Sequence, residues 1–64
     1  MTAETAQKFL LECLADPHVK RRGIANLYRG LLAYDGVDWV EINHAILDRW
    51  SKESLRWIKR EANR

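Results

Sequence analysis

Sixty-four residues, 47% hydrophobic and 31% charged, make one small domain, a size at which a hydrophobic core supplies roughly 3–5 kcal/mol unless something supplements it. The lone cysteine, Cys13, excludes an internal disulfide framework, and no apolar run approaches the roughly 18 residues of a spanning helix. The first residues, with Thr2 and Glu4, lack the basic-then-apolar order of a signal peptide, so the chain reads as cytoplasmic.

The formal charge of +2 is unevenly spread. Residues 1–48 carry five Lys/Arg and seven Asp/Glu, whereas residues 49–64 carry six Lys/Arg and two acids, so the body is near −2 and the tail near +4. Such asymmetry suits an acidic partner or a phosphate backbone, and it also suits a helix C-terminus through the macrodipole.

In chain order, Thr2 reads as the N-cap of a helix reaching about Ala15, with Ala6, Phe9, Leu10, Cys13 and Leu14 at three- and four-residue spacing. Asp16-Pro17 stops it, because the residue before proline avoids the α region. A second helix starts at Pro17 or near Arg21, shows Ile24, Leu27, Tyr28, Leu31 and Leu32 on one face, and ends near Tyr34 at the Asp35-Gly36 turn. Gly23 and Gly30, one heptad apart, suggest close approach of another helix, since glycine costs about 1 kcal/mol against alanine inside a helix.

Asp38 reads as the N-cap of a third helix, with Glu41 at N3 reaching back toward it and Val37 and Ile42 as the hydrophobic staple. Trp39, Ile42, Ile46 and Trp50 form its stripe, widened by Val40 and Leu47, and this spacing predicts the central helix of the core. Asn43 lies inside the stripe and needs a partner there. Ser51 reads as the N-cap of a fourth helix. A continuous rod would put Leu55 about 140° from Trp50, so a tight joint is expected between helices 3 and 4. No segment alternates at period two. The fold class is therefore all-α, a compact bundle of four short helices.

Catalysis finds little support. Cys13 lies on an apolar face without a histidine near it in sequence, and reads as a buried structural thiol. Glu41, His44 and Asp48 share one side of helix 3, and Glu-x-x-His occurs in carboxylate-bridged metal sites. A single copy, with Glu41 already used in the cap, points to neither a metal nor a cofactor. No enzymatic role and no small-molecule substrate is expected.

Binding is better supported. On the last helix Leu55, Ile58 and Ala62 share the inward face, which turns Trp57 toward water among Arg56, Arg60 and Arg64. Trp and Arg are enriched at the energetic centres of protein interfaces. The expectation is a non-enzymatic protein that binds an acidic protein surface, or a second copy of itself, through Trp57, Arg56, Arg60 and Arg64, with Lys52 and Arg49 beside them. The alternative is a nucleic acid. Residues 45–58 can be laid on a helix-turn-helix pattern whose second helix carries Lys52, Glu53, Arg56, Lys59 and Arg60 outward, although Arg49 stands where glycine is usual and Asp48 where an apolar residue is expected. Lys20, Arg21 and Arg22 form a second basic edge.

A faint internal repeat is also present, each half reading as helix, joint and helix. Asp16, Pro17, Val19 and Arg21 resemble the turn of a HEAT-type helical pair, a generic likeness that identifies no family. The second pair lacks the Asp-Pro joint, and solenoids normally need three or more repeats.

Overall fold

A computed structural model describes all residues 1–64. Four helices appear in order, α1 (Ala3–Ala15), α2 (Arg21–Leu31), α3 (Trp39–Arg49) and α4 (Lys52–Ala62), with no strand. None is long and apolar enough to cross a membrane.

The helix starts follow the side chains that can accept from the first-turn N–H groups. Thr2, Asp38 and Ser51 accept from the backbone N–H of Thr5, Glu41 and Ser54 at 3.2, 3.1 and 3.4 Å, each satisfying a donor that has no partner within the helix. Glu41 does not reach back to Asp38 as the capping pattern implies. Its Oε1 accepts from Gln7 Nε2 of α1 at 3.0 Å, and the Asp38 N–H donates to Gln7 Oε1, also at 3.0 Å. One amide thus completes the cap and ties α1 to α3.

α2 starts at Arg21, and its N-cap residue Lys20 makes no side-chain cap hydrogen bond. It closes three residues before Tyr34, because the N–H groups of Leu32, Ala33 and Tyr34 bond three residues back in a tightened last turn. Gly36 then takes φ +85°, the left-handed geometry expected of the Asp35-Gly36 turn. Between α3 and α4, Trp50 is extended (φ −132°, ψ 175°), so the two are separate helices.

The bundle is four-cornered. α1 packs on α2 and α3, and α4 packs on α2 and α3, whereas no Cα atoms approach within 8 Å across the diagonals α1/α4 and α2/α3. Leu10, Ile24, Leu31, Ile42, Ile46 and Ile58 are the large side chains fully withdrawn from water, each favouring the fold by about 1.5–3 kcal/mol. α2, rather than α3, is the principal core helix: it buries Ile24, Ala25, Tyr28 and Leu31 and lies most extensively against α4. Tyr28 reaches across the diagonal, its hydroxyl donating to Asn43 Oδ1 at 2.9 Å and its ring meeting Trp39 at 4.8 Å between centroids. Asn43 has the partner its position demanded, and burial pushes the Tyr28 phenol above its ordinary 10.0.

Further expectations fail. Phe9 is 51%, Leu32 43% and Val40 68% exposed, so none of them belongs to the core. No helix approaches Gly30, since a Cβ there would meet nothing within 4 Å, and Gly23 would meet only its neighbour Val19 at an ordinary 3.5 Å. The two helical pairs are also not copies of one unit, because residues 16–20 join the first and only residues 50–51 the second.

Candidate binding face on helices 2 and 4

Trp57 does not point into water. Its ring is largely covered and packs against the core cluster, because α4 meets α2 along Ser54, Trp57 and Glu61 as well as burying Ile58 and Ala62. A helical wheel assigns one inward direction, and a helix wedged between two neighbours has two. The guanidinium of Arg21 lies 4.3 Å from the Trp57 ring centroid and donates from Nη1 to Ser54 Oγ at 3.2 Å; that of Arg22 lies 5.6 Å from the same ring. A cation over an indole face at this range contributes roughly 0.5–1 kcal/mol at an exposed site.

The sequence-derived set divides accordingly. Arg56 and Arg60 remain exposed and, with Arg21, Glu53 and Trp57, line one surface depression. Lys52 is exposed at the start of α4. Arg64 folds back on the half-buried Glu61 at 3.2 Å, with its own guanidinium exposed and the attraction partly screened by water. Arg21 and Arg22 enter the face from a segment more than thirty residues away, and only the adjacency of α2 and α4 brings them there.

Arg49 leaves the set. Its guanidinium stacks on the Trp50 ring at 4.3 Å and turns back under the end of α1, donating to the carbonyls of Leu14 (3.1 Å), Asp16 (2.9 Å) and Pro17 (3.2 Å), to Cys13 at 3.5 Å, and to Val19. These include carbonyls that the helix end leaves without an amide partner. Arg49 is a clamp for the α1–α2 joint and is not free to meet a partner. Arg29 does the same for α4, donating to the carbonyls of Glu61 (2.7 Å) and Ala62 (3.4 Å). Neither clamp was legible beforehand, since an arginine in a last turn looks alike whether it serves its own helix end or another's.

Sorted by helix, the charges separate. Lys20, Arg21, Arg22, Arg29, Lys52, Arg56, Lys59, Arg60 and Arg64 against Glu53 and Glu61 give the α2/α4 half a formal +7. With Lys20 counted with α2, which it caps, and Arg64 with α4, the rest of the chain, Glu4, Glu12, Asp16, Asp35, Asp38, Glu41 and Asp48 against Lys8 and Arg49, carries −5. A molecule of net +2 therefore has an acidic side and a strongly basic one. On the acidic side, no three His, Cys, Asp or Glu side chains gather as metal ligands would, and Glu41 is held by Gln7 rather than grouped with His44.

No protein family, no curated protein and no solved structure matches the chain.

Proposed function

We propose that the protein is a non-enzymatic binding protein that holds an acidic protein partner on the face built by α2 and α4. The observation that supports this reading is the Arg21–Trp57 stack, which fixes a guanidinium of α2 beside Arg56 and Arg60 of α4 in one depression. A stacked, hydrogen-bonded guanidinium loses little further freedom when it pairs bidentately with a carboxylate. Glu53 lies in the same depression and favours a protein over a nucleic acid. A phosphate backbone is negative throughout and is repelled there, whereas an acidic protein surface can meet Glu53 with a lysine or arginine of its own.

Nucleic-acid binding is the competing reading. It draws on the two-residue joint before α4 and on the exposed row Lys52, Arg56 and Lys59 along that helix. Fluorescence anisotropy across a salt series separates the two, using labelled peptides of mixed Asp/Glu and apolar sequence beside labelled duplex and single-stranded oligonucleotides. Peptide binding that weakens by roughly tenfold or more in Arg21→Gln and Arg56→Gln is expected. Oligonucleotide binding that falls steeply with salt, with no peptide binding, assigns the face to phosphates and refutes the protein reading. Failure of every probe at low salt removes both.

A further inference from the structure

The seam between α1 and α3 carries the opposite charge pattern to the seam between α2 and α4. Two depressions that share Leu11 run along it: Glu4, Lys8 and Glu41 line the first, and Asp48 lines the second beside Ala15 and Ala45. Arg49 borders the second, but its guanidinium is turned onto the carbonyls of the α1–α2 joint. The acidic seam thus presents three acids and one lysine, whereas the α2/α4 depression presents Arg21, Arg56 and Arg60 with one acid, Glu53. None of these eight side chains pairs with an opposite charge in the fold, whose close charge pairs are Asp16 with His18 and Glu61 with Arg64. The four-cornered packing is the reason, because it puts the α1/α3 seam and the α2/α4 seam on opposite sides of the bundle.

We propose that the acidic surface bound by the α2/α4 face is the α1/α3 face of a second copy of this chain, an inference that rests on the reading of α2/α4 as a face for an acidic protein. Arg21, Arg56 and Arg60 of one copy meet Glu4, Glu41 and Asp48 of the next, and Lys8 supplies the cation that Glu53 lacks. Glu41 remains able to take part, since Gln7 occupies only its Oε1. A two-fold axis would set either face on itself, cation on cation or acid on acid, so the contact is head-to-tail. Joining opposite sides of the molecule leaves one basic and one acidic face free at the ends of every assembly, and further copies add there. The attraction is between exposed charges, so it acts over about 30 Å at 0.01 M salt and about 3 Å at 1 M.

Sedimentation equilibrium at low and high salt, with circular dichroism on the same samples, tests the contact. At about 0.01 M salt the average mass of the native chain rises with concentration without a plateau, and at about 1 M it returns to that of the monomer. Arg56→Gln with Arg60→Gln neutralises the basic face, and Glu4→Gln with Glu41→Gln neutralises the acidic one. All four positions are exposed, and a glutamine at 41 still accepts from Gln7, so both variants keep the native helical content. Each alone associates at least about tenfold more weakly than the native chain. Mixed in equal amounts they form particles of two chains and stop, because one intact acidic face meets one intact basic face and the outer faces are both neutralised. A native chain that stays monomeric in low salt overturns the proposal, as does a variant that associates like the native chain or a mixture that does not stop at two. The acidic peptides that probe the α2/α4 face separate the two readings. Peptide binding by a chain that stays monomeric removes the second copy and leaves the face its acidic partner, whereas loss of both removes the two together.

Discussion

Arg49→Met should cost this protein much of its stability while leaving its basic face intact. The substitution keeps most of the aliphatic stem on Trp50 and removes donors from five carbonyls of the α1–α2 joint, those of Cys13, Leu14, Asp16, Pro17 and Val19. A hydrogen bond to a charged group contributes roughly 1.5–3 kcal/mol. The five are not additive, since two nitrogens share them and water reaches part of the joint, so the whole clamp is worth about 2–4 kcal/mol. At roughly 0.05–0.15 kcal/mol per residue, a domain this small holds only about 3–10 kcal/mol in total.

Each kcal/mol moves the midpoint of so small a domain by about 4–8 °C, so a fall of roughly 10–25 °C is expected in a thermal melt followed by circular dichroism. Arg49→Lys keeps the charge but replaces the planar fork with a compact ammonium, which reaches fewer of the carbonyls and recovers less than half of the loss. Arg56→Met and Arg60→Met, at exposed positions without hydrogen bonds in the fold, should stay within about 0.5 kcal/mol of the native chain. An Arg49→Met melt matching those two controls would refute the clamp and return Arg49 to the partner-binding set.

Other substitutions test the remaining contacts. Burial raises the Tyr28 pKa, so the folded state holds that proton more tightly than the unfolded one; its contribution is full below pH 10.0 and is lost as pH rises through the folded value. Tyr28→Phe should cost about 1 kcal/mol at neutral pH by stranding Asn43 and should flatten the alkaline loss, as urea titrations at several pH values will show. Asp38→Ala should lower stability by about 0.5–2 kcal/mol, and Asp38→Asn by much less, because the amide oxygen can still accept from the Glu41 N–H. Ile58→Val, at a fully buried site, should cost about 0.5–1.5 kcal/mol in chemical denaturation.

Local chemistry carried the fold. The three caps at Thr2, Asp38 and Ser51, the stop at Asp16-Pro17 and the turn at Gly36 depend on groups within a few residues of one another, so helix number, most boundaries and the all-α class could be read from the chain. What failed were judgements about which way a side chain faces when its helix has more than one neighbour. Phe9 and Val40 sit at the edges of apolar stripes and end outside the core, while Trp57 sits off its stripe and ends under Arg21.

The candidate face was half legible for the same reason. The excess of cations on α4, with Arg56 and Arg60 among them, is a property of sequence alone, and so is the number of charges to be distributed. Their grouping into a +7 half and a −5 half is not, because it follows from α2 lying against α4 instead of α3. That choice is made by packing: Ile24, Tyr28 and Leu31 find Ile58 and Ala62 in one core. Burial draws these helices together against the repulsion of their like charges, since the cations keep their heads in water while the apolar surface is removed from it. Sequence determined what each helix carries; tertiary structure decided which helices share a face, and with that whether an arginine clamps a helix end or stays exposed.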